Sequence, residues 1–216
     1  MTSMYKKTDK LLASLAKVVK AEFLRLSLLP MDELNVVSAK KTTFELFDRL
    51  KKNNAQAYLS VSKSAYTAGI EQSALIGFIP QKKRKINAAW VLLFLGGFNR
   101  VTGYLYNTET ERKRLRLAEQ MLTAREYKDR QMYSDSVKSA AGLWWRQTEQ
   151  YAIGITDEAA IEAYRDAGVE YVKWIAQKDG KTCKVCDGRN ERIYKIDEIP
   201  EKTHYNCRCY VIPHKG

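Results

Sequence analysis

The 216-residue chain has only 4 proline, 11 glycine and 4 cysteine residues, and just 2 histidines. So little proline and glycine excludes collagen-like and low-complexity chains, and 45% hydrophobic residues exclude a wholly disordered one. A long hydrophobic run is also missing. The longest, Ala88 to Phe98, contains Gly96 and Gly97 and falls short of the ~20 residues a bilayer span requires. The first apolar stretch is broken by Lys10, Lys17, Lys20 and Arg25, which leaves no h-region for secretion. No membrane anchor and a reducing cytosol as the place of synthesis are therefore expected. P-loop, dinucleotide and metal-carboxylate signatures are absent as well.

Positive charge is abundant. Thirty-seven Lys and Arg against 25 Asp and Glu give a formal charge of +12. Residues 1–100 hold 17 basic and 7 acidic side chains, whereas residues 101–216 hold 20 and 18. The first half is thus the face for a polyanion. Its densest run, Lys82, Lys83, Arg84 and Lys85, supplies candidate contacts for non-specific double-stranded DNA. Solubility alone is the competing explanation for such an excess.

Apolar periodicity predicts an amphipathic helix from Thr8 to Leu28, ended by Pro30, with Asp32 capping a short turn. Phe44, Phe47 and Leu50 mark a second helix that Lys51 to Asn54 closes, and Tyr58 to Tyr66 a third. Gly77 and Pro80 precede the basic run, after which Asn87 caps an apolar helix that the Gly96–Gly97 pair interrupts. A charged helix follows from Thr108, with Leu115, Ala118 and Leu122 as its stripe, then one from Tyr133 to Tyr151 with Trp144 in its core face. Thr156-Asp-Glu opens a further helix, which Gly168 closes. Val169 to Ala176, Arg192 to Ile196 and Cys209 to Ile212 read as strands, with a turn at Asp179-Gly180. The expected fold is α+β: a basic helical segment (1–80), a second helical region (81–168) and a small metal-stapled β domain (169–216).

All 4 cysteines fall in the last 34 positions. Cys183 and Cys186 form a C-x2-C knuckle followed by Asp187-Gly188. After seventeen residues beyond Cys186 come His204, Cys207 and Cys209. Two thiolates three residues apart can address one ion while turning backbone amides toward sulfur, and Gly188 would ease the turn. Five candidate ligands compete for four tetrahedral places, so either one is spare or two metal-free pairs exist. Zinc in a structural site is the first expectation; a disulfide pair or buried free thiols are the alternatives. A Cys207–His204 catalytic dyad lacks an orienting partner or oxyanion hole in the sequence, and only His214 remains as a further base. No enzyme activity is expected.

The segment from Trp174 through Cys183-Lys-Val-Cys186-Asp-Gly to Tyr194, then Ile199-Pro200 and His204-Tyr-Asn-Cys207-Arg-Cys209 to Pro213, resembles the C-terminal signature of the Mu F-like phage head morphogenesis family, the phage minor head proteins. Val101 to Glu109 with Arg112 to Glu119 is similar to the helical part of members from phages of Gram-positive bacteria. The resemblance covers about residues 90–213. Tyr205 stands where the family commonly has proline. The resemblance implies a minor capsid protein present in few copies, made in the host cytoplasm and incorporated into the virion. It would sit inside the capsid near the portal protein, among capsid and scaffold proteins, where it touches packaged DNA and aids its delivery. A zinc-ribbon nucleic-acid-binding protein without a virion role, or a zinc-containing nuclease or toxin, is the alternative.

Overall fold

The computed structural model describes residues 5–80, 84–96, 106–178, 182–204 and 206–216. Five helices precede a small sheet: α1 (Lys6–Ser27), α2 (Val36–Leu75), α3 (Ala88–Gly96), α4 (Tyr106–Glu126) and α5 (Arg130–Asp166). The C-terminal part contains β1 (Tyr171–Ile175), a short α6 (Lys184–Gly188), β2 (Ile193–Lys195) and β3 (Tyr210–His214). The architecture is α+β, as expected, and none of the helices among the described residues is long and apolar enough to cross a membrane. Lys82 and Lys83, Gly97, the Asp179-Gly180 turn and Tyr205 lie outside the described residues.

α1 buries Leu12, Leu15, Val19, Phe23 and Leu26, the face that periodicity predicts. The short turn at Asp32 is a 3-10 helix, Met31–Glu33, without the predicted side-chain cap. α2 differs from expectation. Its start is fixed by Asn35, whose Oδ1 accepts the Ser38 amide at 2.9 Å while the Ser38 hydroxyl accepts the Asn35 amide. The helix then runs for 40 residues through Lys51 to Asn54 without a break. Asn54 is buried, and its Nδ2 donates to Thr148 Oγ1 on α5 (2.9 Å) and to the Tyr58 hydroxyl (3.2 Å). A residue that locally suggests a helix end is instead a tie between two long helices, and no proline or glycine stops the run.

α5 is likewise one helix of 37 residues and not two. Thr156 does not open a new helix, because its hydroxyl donates to the Ala152 carbonyl within the same helix (2.7 Å) and meets Thr8 Oγ1 at 2.9 Å. The end at Gly168 is as expected. This glycine has φ +77°, and the Gly168 and Val169 amides reach back to Arg165 and Tyr164. The stripe predicted for α4 is displaced. Leu115 is 41% exposed, whereas Leu117, Met121 and Ala124 are buried together with Ala118. Charge crowds α4 from Glu109 to Glu119, which masks the apolar row. Asn87 does cap α3, accepting the Trp90 amide at 3.0 Å.

α2 packs chiefly on α5, and α1 and α4 flank the pair. Their shared core stacks Phe23, Phe47 and Trp144 edge to face, with centroids 6.3 and 5.2 Å apart. It runs across the expected boundary near residue 80. Trp144 is fully buried, in keeping with a core role. Gly69 marks the closest approach of α2 to α5: a Cβ there would lie 2.7 Å from Ala163 Cβ and 3.0 Å from the Ala160 carbonyl. Gly69→Ala should therefore cost about 1–3 kcal/mol by overpacking, despite the better helix propensity of alanine, and denaturant titration would measure it.

The sheet order is β2-β1-β3, antiparallel throughout, with Val172 opposite both Tyr194 and Pro213. Pro213 is tolerated because β3 is an edge strand. Val172 and Trp174 point inward, onto a second core formed by Ala160, Tyr164, Val211 and three of the cysteines. The sheet thus rests on the C-terminal half of α5.

Candidate metal centre and its surroundings

Cys183 occupies the N-cap of α6, with its Sγ accepting the Cys186 amide at 3.4 Å. The knuckle therefore does turn backbone toward sulfur. The expected role of Gly188 is not found: its φ is not positive, and the left-handed position of this turn is Glu191 (φ +64°). The return segment after β2 brings His204, Cys207 and Cys209 to the same place, bending through Asn206 at φ +56°.

Cys186, Cys207 and Cys209 are all buried, and the Cys186 and Cys207 sulfurs are 3.5 Å apart. The candidate ligands fall into two overlapping triads, Cys183–Cys186–His204 and Cys186–Cys207–Cys209, each with its ligand atoms within 4.8 Å of one another. Cys186 is the common member. All five predicted ligands are thus brought together, while the four cysteines remain unpaired as thiols. His214 stands apart on β3, opposite Tyr171.

The thiols differ electrostatically. The Thr203 hydroxyl and the Cys186 amide hold Cys183 down to about 6, a thiolate-favouring value. Burial pushes Cys186 well up, and its thiol neighbours add to that. Burial also raises Cys207, opposed by the Lys202 ammonium. Buried thiols of this kind stay protonated unless a cation supplies compensating charge, and a divalent ion would reverse the preference. Four thiols and an imidazole, three of the thiols sealed from solvent, form a donor set suited to a soft, tetrahedral ion and able to hold it in a closed site.

A second buried assembly adjoins the cysteines and was not read from the sequence. Asp157, 8% exposed in the middle of α5, accepts the Tyr5 hydroxyl and the Lys202 ammonium, each at 2.5 Å. The Lys202 Nζ also donates to the Tyr5 oxygen and to the Cys207 carbonyl, both at 2.9 Å. Burial raises the Asp157 carboxyl above its ordinary range, with Lys202 and Tyr5 holding it back. Burial and the Asp157 charge drive the Tyr5 phenol far up. The assembly ties α1, α5 and the cysteine-bearing loop into one unit.

The basic run is placed differently from a free DNA-facing strip where it is described. The Arg84 guanidinium is engaged by Asp166 (3.1 Å) and Glu162, and its backbone amide donates to the Tyr66 hydroxyl. Lys85 is exposed. Comparison with family models, with curated proteins and with solved structures gives no match in any of the three.

Proposed function

We propose that the chain is a minor head protein of a bacteriophage, acting in head morphogenesis beside the portal, with a structural zinc stapling its C-terminal sheet to the helices. The observation that carries this reading is the convergence of Cys183, Cys186, His204, Cys207 and Cys209, the residues of the resembling signature, on one cluster around Cys186. Cys186, Cys207 and Cys209 would hold the ion, with Cys183 or His204 completing the set. Bound zinc supplies cross-linking and charge neutralisation there, and no open coordination position or base is assigned to it. The role is that of assembly, not of catalysis. The basic first half supports contact with packaged double-stranded DNA through its backbone, which would be independent of sequence.

Co-expression with the portal protein encoded beside it, followed by nuclease treatment and size exclusion, tests the assembly reading. The two proteins should elute together after nuclease treatment. Separate elution, or an association that the nuclease abolishes, would remove the portal from the proposal and leave the DNA contact in its place.

A further inference from the structure

A cavity of about 520 Å³ lies between α4 and α5. Its wall carries Arg112, Lys113, Arg116 and Arg146 against one acid, Glu109. Glu109 is used up locally: Arg112 and Lys113 both bind it at 2.9 Å, and they hold its carboxyl below the usual range, although burial opposes them. Arg116 and Arg146 are exposed and have no carboxylate partner among the described residues.

Deeper in the same wall, Gln147 is 7% exposed, and neither its Oε1 nor its Nε2 has a hydrogen-bond partner among the described residues. Asn206, from the loop between His204 and Cys207, also faces the cavity, with its Oδ1 equally unmatched. A buried primary amide with both atoms idle costs about 1–3 kcal/mol, so its retention calls for a partner that the protein does not itself provide. Leu117, Ala140, Leu143 and Tyr151 supply the apolar part of the wall.

We propose that this cavity binds a nucleoside phosphate. The volume falls within the range of small-ligand sites. The Gln147 amide offers one donor and one acceptor side by side, which matches the edge of a nucleobase. The apolar wall takes the ring, and Arg116 and Arg146 take the phosphates through charge-assisted hydrogen bonds. An inorganic anion would satisfy the arginines alone and leave the amide idle. The site takes Arg112, Lys113, Arg116 and Leu117 from the helical segment that resembles the minor head proteins and Asn206 from the cysteine signature, but its test reads nucleotide binding and not assembly, so the two readings fail separately.

The test is calorimetric titration of the full, metal-loaded chain at physiological ionic strength with ADP, with inorganic pyrophosphate and with a single-stranded oligonucleotide. ADP should bind at one site per chain and pyrophosphate at least tenfold more weakly. Arg146→Gln, a surface change, should weaken ADP binding about tenfold. Gln147→Leu should reduce ADP affinity to that of pyrophosphate while leaving thermal stability unchanged or raised, a pattern that a purely structural glutamine would not give. No ADP binding at millimolar concentration would overturn the proposal. So would equal binding of pyrophosphate, full affinity in the Gln147→Leu protein, or an oligonucleotide bound more tightly than ADP whose binding is lost in the Arg146→Gln and Gln147→Leu proteins.

Discussion

Replacing Cys186 by serine should release the metal and unfold the C-terminal sheet while leaving most of the helical signal in place. Cys186 belongs to both ligand triads, so its loss breaks both at once. The three-stranded sheet has short strands of 5, 3 and 5 residues, and its own core is small. Structural zinc in peptides of comparable size contributes apparent binding energies of about 10–16 kcal/mol, far more than such a sheet can replace. The helical core around Phe47 and Trp144 contains no cysteine and should persist. Two of the 4 tryptophans separate the halves: Trp174, packed in one core with Cys186 and Cys207, should become solvent-exposed, whereas Trp144 should not. Metal analysis of the native protein should find about one zinc per chain, and chelation should reproduce the effect of the mutation. Native protein with four reactive thiols and no metal would refute the zinc reading. An unchanged Trp174 environment in the serine variant would refute the stapling role.

The second large effect is expected at Asp157. Asp157→Ala would strand the Lys202 ammonium, whose side chain is only 10% exposed, beside the Tyr5 hydroxyl. Breaking a buried pair by removing one partner costs about 3–5 kcal/mol, which in a chain of this size lowers the Tm by on the order of 10 °C. Replacing both partners with apolar residues, Asp157→Leu with Lys202→Met, should recover much of the loss, because no uncompensated charge then remains buried. The surface pair of Arg84 and Asp166 provides the contrast, as half-exposed arginine pairs of this sort contribute at most about 1 kcal/mol. Thermal unfolding of the single and double variants measures the coupling directly. A loss below about 1 kcal/mol for Asp157→Ala would show that Lys202 finds solvent at no cost.

Where sequence and structure agree, the signal is local and repetitive. α1 alternates apolar and basic positions over six turns, and the β-prone run at Val169 to Ala176 places Val172 and Trp174 on one face. The cysteine cluster was legible because all 4 cysteines of the chain fall in its last 34 positions. The long helices were not, and the reason is the same in both. Lys51 to Asn54 and Thr156-Asp-Glu have the composition of helix ends, yet Asn54 and Asp157 are buried, and the Asn54 Nδ2 and the Asp157 carboxylate bind partners 94 and 45 residues away. Tertiary hydrogen bonds removed the competition that such side chains pose to the helix backbone. The α4 stripe was misplaced because Leu115 and Leu117 both fit a helical row, and only packing against α2 and α5 decides between them. Arg114 illustrates this, since its guanidinium lies 3.3 Å from the centre of the Phe44 ring on α2. The cavity was invisible for another reason: its walls come from α4, from α5 and from the loop at Asn206, which are far apart in sequence.

Tyr5 and Lys202 are 197 positions apart and share one buried hydrogen-bonded cluster. During translation at about 5–20 residues per second, the first would wait roughly 10–40 s for the second to emerge from the ribosome. Throughout that interval α1 can lay its leucines on α2, but its first turn has no carboxylate from α5 and no ammonium from the cysteine-bearing loop. Thr8 faces a shorter delay of the same kind toward Thr156, 148 residues away. The amino-terminal turn must therefore dock last although it is made first, and nascent chains stalled before Lys202 should remain open to proteolysis at that turn after the remaining helices have become protected.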